Sequence, residues 1–278
     1  MISPDHYDAY CFDLDGTIYI GDQLLPGVKK VLEMIRRHQK KVLFITNSPT
    51  ITREEGKERL ERLGLEVHLE EMITAPYISA LYFAEMSTEV SVFTIGEDAI
   101  KKELQNFSIP ITDNPLKATH VLVGLDRSFT YSDLQMAMNA VRHCKKLFIT
   151  NPDSICPVPG GFIPDTMALA SAIEVASGQK IDKVIGKPSD MYGTKIIDLL
   201  GVDRNKILVI GDRLETDIQL GKTKDFGTCL VLTGVSSEKD LETSLIKPDY
   251  VIENLNNLFS YELQHAAGNH GDGSFASF

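Results

Sequence analysis

No stretch of the chain approaches the ~18 consecutive apolar residues that a membrane-spanning helix needs, and the opening MISPDHYDAY is too polar for a secretion signal. A cytoplasmic protein is therefore expected. Cysteine is scarce. The four in 278 residues, Cys11, Cys144, Cys156 and Cys229, are too far apart for a zinc site and too few for a disulfide framework, so buried free thiols are expected. Basic charge is in deficit: 28 Lys and Arg against 39 Asp and Glu leave a formal net charge of −11. That balance argues against nucleic acid or an anionic membrane surface as a partner. There is no heptad pattern, short repeat or Walker-type loop, and the seven histidines are scattered without ligand spacing. An anionic substrate has to be received locally, by a few placed groups.

What is present is an alternation of short apolar runs and helical patterns. The runs AYCF, VLFI, ILVIG and CLVL end at Asp13, Thr46, Asp212 and Thr233. Between the first two lies VKKVLEMIRRH, with Val28, Val31, Leu32 and Ile35 at helical spacing. This is a doubly wound α/β pattern with a parallel sheet. A second block, with the strands VSVFTIG, THVLVGLD and KLFITNPD and the helix YSDLQMAMNAVRH, reads as a smaller α/β unit inserted into the first. The expected division is a core of residues 1–78 and 184–260, an inserted cap of 79–183 and a mobile Gly- and Asn-rich tail of 261–278.

Polar clusters sit where the core strands end, the edge at which open parallel sheets bind ligands. In FDLDGT a strand would set Asp13 and Asp15 on one face while Leu14 turns to the core, so two like charges share a small volume. FITNSP adds Thr46, Asn47 and Ser48; IGKPS adds Lys187; IGDRLETD adds Asp212 and Asp217. Each has a plainer reading: a turn, a helix cap, a solvated lysine, a charged helix start. Four in order at strand ends favour one explanation. Carboxylates for a hard divalent ion such as Mg²⁺, small donors and one cation suit phosphoryl transfer, with Asp13, Asp212 and a backbone carbonyl as ligands and Thr46 and Lys187 on the phosphate. Crowding among the acids favours a retained proton, and Asp15 is the candidate general acid.

In these four motifs the sequence resembles the haloacid dehalogenase superfamily of phosphatases, whose signature is DxDGT, a Ser or Thr, a Lys, and GDxxxTD. The resemblance implies that Asp13 is the nucleophile forming an aspartyl-phosphate and Asp15 the acid and then base. It further implies that Mg²⁺ is held by Asp13, the Asp15 carbonyl and Asp212, with Asp217 supporting from the second layer. Thr46, Asn47, Ser48 and Lys187 are the expected phosphate-binding residues. About 140 positions separate Asn47 from Lys187, so the cap lies between the second and third motifs, and with IYIGDQLLPG and TNPD this layout is similar to the class IIA branch. That branch includes nitrophenylphosphatase-like and ribonucleotide monophosphatase-like enzymes. Its usual Pro-Gly-x-Gly turn is replaced here by Pro164-Asp165-Thr166-Met167, which makes Asn151, Asp153, Asp165, Thr166 and Met167 the expected specificity loop, with a bulkier and more acidic mouth. A hinged cap is expected, and pairing of two copies through it is left open. The implied function is Mg²⁺-dependent hydrolysis of small phosphomonoesters such as sugar phosphates or nucleotides. The alternatives are a phosphotransferase or mutase of the same superfamily, and a non-catalytic phospho-ligand binder.

Overall fold

The computed structural model describes residues 2–158 and 160–259, so the expected tail of 261–278 lies outside the described residues. The core is a six-stranded, all-parallel sheet in the order Tyr250–Ile252, Gly227–Val231, Ile207–Gly211, Ala9–Asp13, Lys41–Ile45, Met72–Ile73. Every residue of the central strand Ala9–Asp13 is buried, which explains its unbroken apolar run: a parallel strand covered on both faces has no polar side. From that strand the chain steps outward to Lys41–Ile45 and Met72–Ile73, leaves for the cap, and returns on the other side at Ile207–Gly211. The order therefore reverses between Ala9–Asp13 and Ile207–Gly211, and their carboxyl ends open the crevice where doubly wound sheets bind ligands.

Local signals account for the flanking helices. In Val28–Arg37 the four residues at helical spacing, Val28, Val31, Leu32 and Ile35, are all buried. Helix Arg53–Arg62 begins with a capping box: the Thr52 side chain accepts from the Glu55 N–H while Glu55 Oε2 accepts from the Thr52 N–H at 2.9 Å. A small hairpin, Tyr19–Ile20 with Gln23–Leu24, forms a flap just beyond the central strand.

The cap has its own parallel sheet, ordered Lys183–Val184, Leu147–Ile149, His120–Val123, Val92–Ile95, and an antiparallel hairpin of Ile155–Val158 and Gly161–Pro164. The expected limits, 79 and 183, fall inside helix Ala75–Ala84 and strand Lys183–Val184. Where the sequence suggests two linkers, the junction also carries packing contacts. One apolar cluster runs without a break from Cys11, Ile45, Tyr192 and Ile196 of the core to Phe83, Ile100, Leu122 and Phe148 of the cap. Glu103 of the cap also accepts from the backbone N–H of Arg53, at the start of a core helix, at 2.8 Å. The cap is thus packed onto the core as well as threaded to it. Cys11 and Cys229 are buried thiols as expected, whereas Cys144 and Cys156 are partly exposed. Among the described residues no helix is long and apolar enough to cross a membrane.

Candidate active site

Asp13 ends the central strand, buried, and the next residue but one, Asp15, is exposed, with Leu14 between them turned into the core. Gly16 follows with φ +86°, and a Cβ there would lie 2.6 Å from Asp212 Oδ2. Only glycine lets the first loop press against the last motif. Gly234 meets the same carboxylate from the other side, with room for no Cβ at 1.9 Å from Oδ2, and the Val235 N–H donates to that oxygen at 2.7 Å.

Lys187 is the pivot. It is 1% exposed, and its Nζ donates to Asp13 Oδ1 at 2.6 Å, to Asp217 Oδ1 at 2.6 Å and to the Ile45 carbonyl at 3.3 Å. That excludes the solvated-lysine reading. Burial alone would favour the neutral amine, but the Asp13 and Asp217 charges outweigh it and hold the pKa above the usual lysine range. Asp217 Oδ2 accepts from the Arg213 N–H at 3.2 Å, so both of its oxygens are engaged. The helix-cap reading of Thr46-Asn47-Ser48 also fails, because the cap of the following helix is Thr52. Thr46 is buried, and its Oγ1 accepts from the Ser48 N–H at 3.0 Å.

One ligand oxygen each from Asp13, Asp212 and Asp217 lies within 4.8 Å of the others, all three residues buried. Three carboxylates face one ammonium. Burial, and then the Asp217 charge, push the Asp212 carboxyl up to about 6. Burial also raises Asp13, more than Lys187 lowers it, with Asp217 and Asp212 adding to the rise. Asp212 Oδ1 is buried and has no hydrogen-bond partner among the described residues. A bare carboxylate oxygen in an all-oxygen cluster with excess negative charge fits a hard divalent cation, and Asp13 and Asp212 are the residues placed to hold it. Asp217, with both oxygens already accepting, suits a supporting position.

Some expected residues are employed differently. Asn47 is clamped to the lysine loop: its Oδ1 accepts from the Lys187 N–H at 2.8 Å and its Nδ2 donates to the Lys187 carbonyl at 3.0 Å. The side chain thus sets the position of Lys187 and is not available to phosphate. Ser48 Oγ pairs with Thr50 Oγ1 at 3.2 Å. In the cap, Asn151 Nδ2 donates to the Asn47 carbonyl at 2.9 Å, and Asp153 Oδ1 accepts from Arg213 Nη1 at 2.9 Å, so these two residues meet the core motifs. Asp165, Thr166 and Met167 do not form the expected acidic mouth. Asp165 is a buried N-cap, its Oδ1 accepting from the Thr166 N–H at 2.5 Å and the Thr166 hydroxyl at 3.0 Å. Thr166 is fully buried, and Met167 packs against the apolar core of the cap. A helix start needs a side-chain acceptor there, and Asp supplies it where the branch has Gly. Three residues without an assigned role complete the site: Arg213, Tyr19, whose hydroxyl donates to Asp15 Oδ2 at 3.2 Å, and Arg59, which stacks on Tyr19 at 4.1 Å. Tyr19 lies in IYIGDQLLPG and Arg213 in IGDRLETD. A lone arginine among the acids of GDRLETD was the available signal; nothing in the sequence marks Arg59.

A family model described as haloacid dehalogenase-like hydrolase matches residues 10–110, and a second, HAD-hydrolase-like, matches residues 184–258. An acid sugar phosphatase of Staphylococcus epidermidis is 32% identical over 251 residues, 90% of this chain and 96% of that protein. The chain belongs to the haloacid dehalogenase-like hydrolases. Among solved structures of this family, a 4-nitrophenylphosphatase from Thermotoga maritima superimposes with a TM-score of 0.87 at 31% identity, covering 92% of this chain and 98% of that one. A glycerol phosphate phosphatase from Mycobacterium tuberculosis, in complex with magnesium, gives 0.84 at 27% identity, over 92% of this chain and 77% of that one. Like these relatives, this haloacid dehalogenase-like protein is a phosphatase, a phosphoric monoester hydrolase with a parallel-sheet core and an inserted α/β cap.

Proposed function

We propose that the protein hydrolyses small phosphomonoesters, sugar and polyol phosphates foremost, in a Mg²⁺-dependent reaction that passes through an aspartyl-phosphate on Asp13. The observation that carries this reading is the Lys187 ammonium fixed on Asp13 Oδ1 at 2.6 Å, which leaves the other oxygen of Asp13 as the attacking atom in a carboxylate cluster that also contains the bare Oδ1 of Asp212. In the first step the free Asp13 oxygen bonds phosphorus, the bond from phosphorus to the ester oxygen breaks, and the Asp15 carboxyl gives its proton to the departing alkoxide. In the second, Asp15 takes a proton from water as that water's oxygen bonds phosphorus, and the bond to Asp13 breaks to release inorganic phosphate. Although the Asp15 side chain reaches solvent, the chain crowded around it strips part of its hydration and raises the carboxyl, against the opposing pull of Arg59 and the Tyr19 hydroxyl, which suits a group that must carry a proton and then lose it. Thr46 binds a phosphate oxygen, and Lys187 does so by turning to it the proton that otherwise meets the Ile45 carbonyl at 3.3 Å. Bound by Asp13, Asp212 and the Asp15 carbonyl, Mg²⁺ would supply positive charge against the phosphate oxygens. Asp153, held by Arg213, is the cap residue assigned to the leaving group, and Asn151 fixes its loop by accepting from the Asp153 N–H at 3.0 Å.

Phosphate release from a panel of sugar phosphates, glycerol phosphate, nucleotides and p-nitrophenyl phosphate, with Mg²⁺ and with excess chelator, tests the reading; full activity in chelator would exclude it. The Asp212 carboxyl near 6 adds a pH dependence. A cation binds the carboxylate and not the acid, so Mg²⁺ affinity should be full above pH ~7 and fall about tenfold per pH unit below ~6. Calorimetric titration at pH 5, 6 and 7.5 checks this, and an affinity unchanged across that range would be contrary to it.

A further inference from the structure

We infer that Tyr19 is the positioning residue for the Asp15 acid–base group, a role that rests on the reading of Asp15 given above. Asp15 stands at an exposed position on the loop after the central strand, where a carboxylate with no fixed partner samples several rotamers. Here its Oδ2 accepts from the Tyr19 hydroxyl at 3.2 Å. Tyr19 does not follow a moving partner, because it is fully buried and held on several sides. Its carbonyl accepts from the Gly16 N–H at 2.9 Å, and its N–H donates to the Leu14 carbonyl at 3.2 Å, which ties both ends of the Asp15 loop to the flap. The Arg59 guanidinium lies over its ring at 4.1 Å and donates to the Gly21 carbonyl at 3.0 Å, which braces the flap against helix Arg53–Arg62.

The result is a donor of fixed direction aimed at one oxygen of Asp15. The second oxygen is left for the ester oxygen in the first step and for water in the second. Tyr19 touches Asp15 and not the reacting atoms, so its effect is exerted wholly through the aim of that carboxyl. Loss of the hydroxyl should therefore slow only the steps in which Asp15 moves a proton. An alkyl phosphate needs a proton on its leaving oxygen, whereas p-nitrophenolate departs with little help.

The test is Tyr19→Phe, which keeps the ring under Arg59 and removes only the hydroxyl. We expect kcat/KM for glycerol phosphate to fall about tenfold while that for p-nitrophenyl phosphate changes less than about twofold. With p-nitrophenyl phosphate, kcat should nevertheless fall and a burst of p-nitrophenol should appear, because breakdown of the intermediate still needs the base. A merely structural role would lower kcat/KM for both substrates together. Equal losses on both, or no loss on either, would overturn the inference. Asp15→Asn, measured alongside, separates the two levels. If it fails to discriminate between the leaving groups, the acid–base reading of Asp15 is wrong; if it discriminates and Tyr19→Phe does not, only the positioning role of Tyr19 is lost.

Discussion

Asp13→Asn should reduce turnover on the order of 10⁴-fold or more while leaving the protein folded. An amide of nearly the same size keeps a carbonyl oxygen for the Lys187 ammonium, which now sits 2.6 Å from Asp13 Oδ1, so the lysine keeps its place. What disappears, on the proposed mechanism, is the anionic oxygen that attacks phosphorus, and with it one of the three buried carboxylates of the cluster. The variant also has one negative charge fewer in a cluster of three carboxylates around a single ammonium, so its melting temperature should be unchanged or higher. Steady-state hydrolysis of p-nitrophenyl phosphate and a thermal melt check both halves. Wild-type-like rates would sink the mechanism, and an unfolded variant would remove the argument that the side chain serves chemistry and not stability.

The second large effect is expected from Lys187→Met. The ammonium is the only cation that bonds both Asp13 and Asp217 among the described residues, and Asp217 is 1% exposed. Removing one partner of a buried ion pair leaves uncompensated charge, with a destabilisation of about 3–5 kcal/mol. For a chain of this size that corresponds to a melting temperature lower by roughly 10 °C. Phosphatase activity should fall with it, since the proposed mechanism uses the same ammonium on the phosphate oxygens. Mg²⁺ brings positive charge back to the same carboxylates, so it should raise the melting temperature of the variant more than that of the wild type. A melt that neither shifts nor gains extra sensitivity to Mg²⁺ would show that Lys187 is not the keystone of the cluster.

The parts of this site that were readable in the sequence are those fixed by position along a single strand. Asp13 and Asp212 close unbroken apolar runs, and such runs in a doubly wound pattern end at the ligand edge, so their meeting follows from local pattern and topology alone. The capping box at Thr52 is equally local, yet the cap that the sequence suggested for that helix was Thr46-Asn47-Ser48. What was not readable depends on contacts between distant segments. The clamp of Asn47 on Lys187 spans 140 positions, and the Asp153–Arg213 pair spans 60; no periodicity reports either. Asp165 illustrates the opposite error. An acidic residue beside a binding loop suggested a mouth, but the same residue type is a preferred helix N-cap, and burial decided between them. The packed junction of core and cap was hidden for a similar reason: the apolar residues of helix Ala75–Ala84 and of the cap sheet look alike whether they face their own unit or the neighbouring one.

The central claim is covalent chemistry at Asp13, and the most direct measurement is acid quenching of the enzyme during turnover of p-nitrophenyl phosphate, followed by mass spectrometry of the peptide that contains Asp13. The account predicts a fraction of that peptide heavier by one phosphoryl group, lost on treatment with hydroxylamine, enriched in Asp15→Asn and absent in Asp13→Asn. Turnover with no phosphorylated Asp13 peptide in Asp15→Asn, or phosphorylation found on another residue, would contradict it.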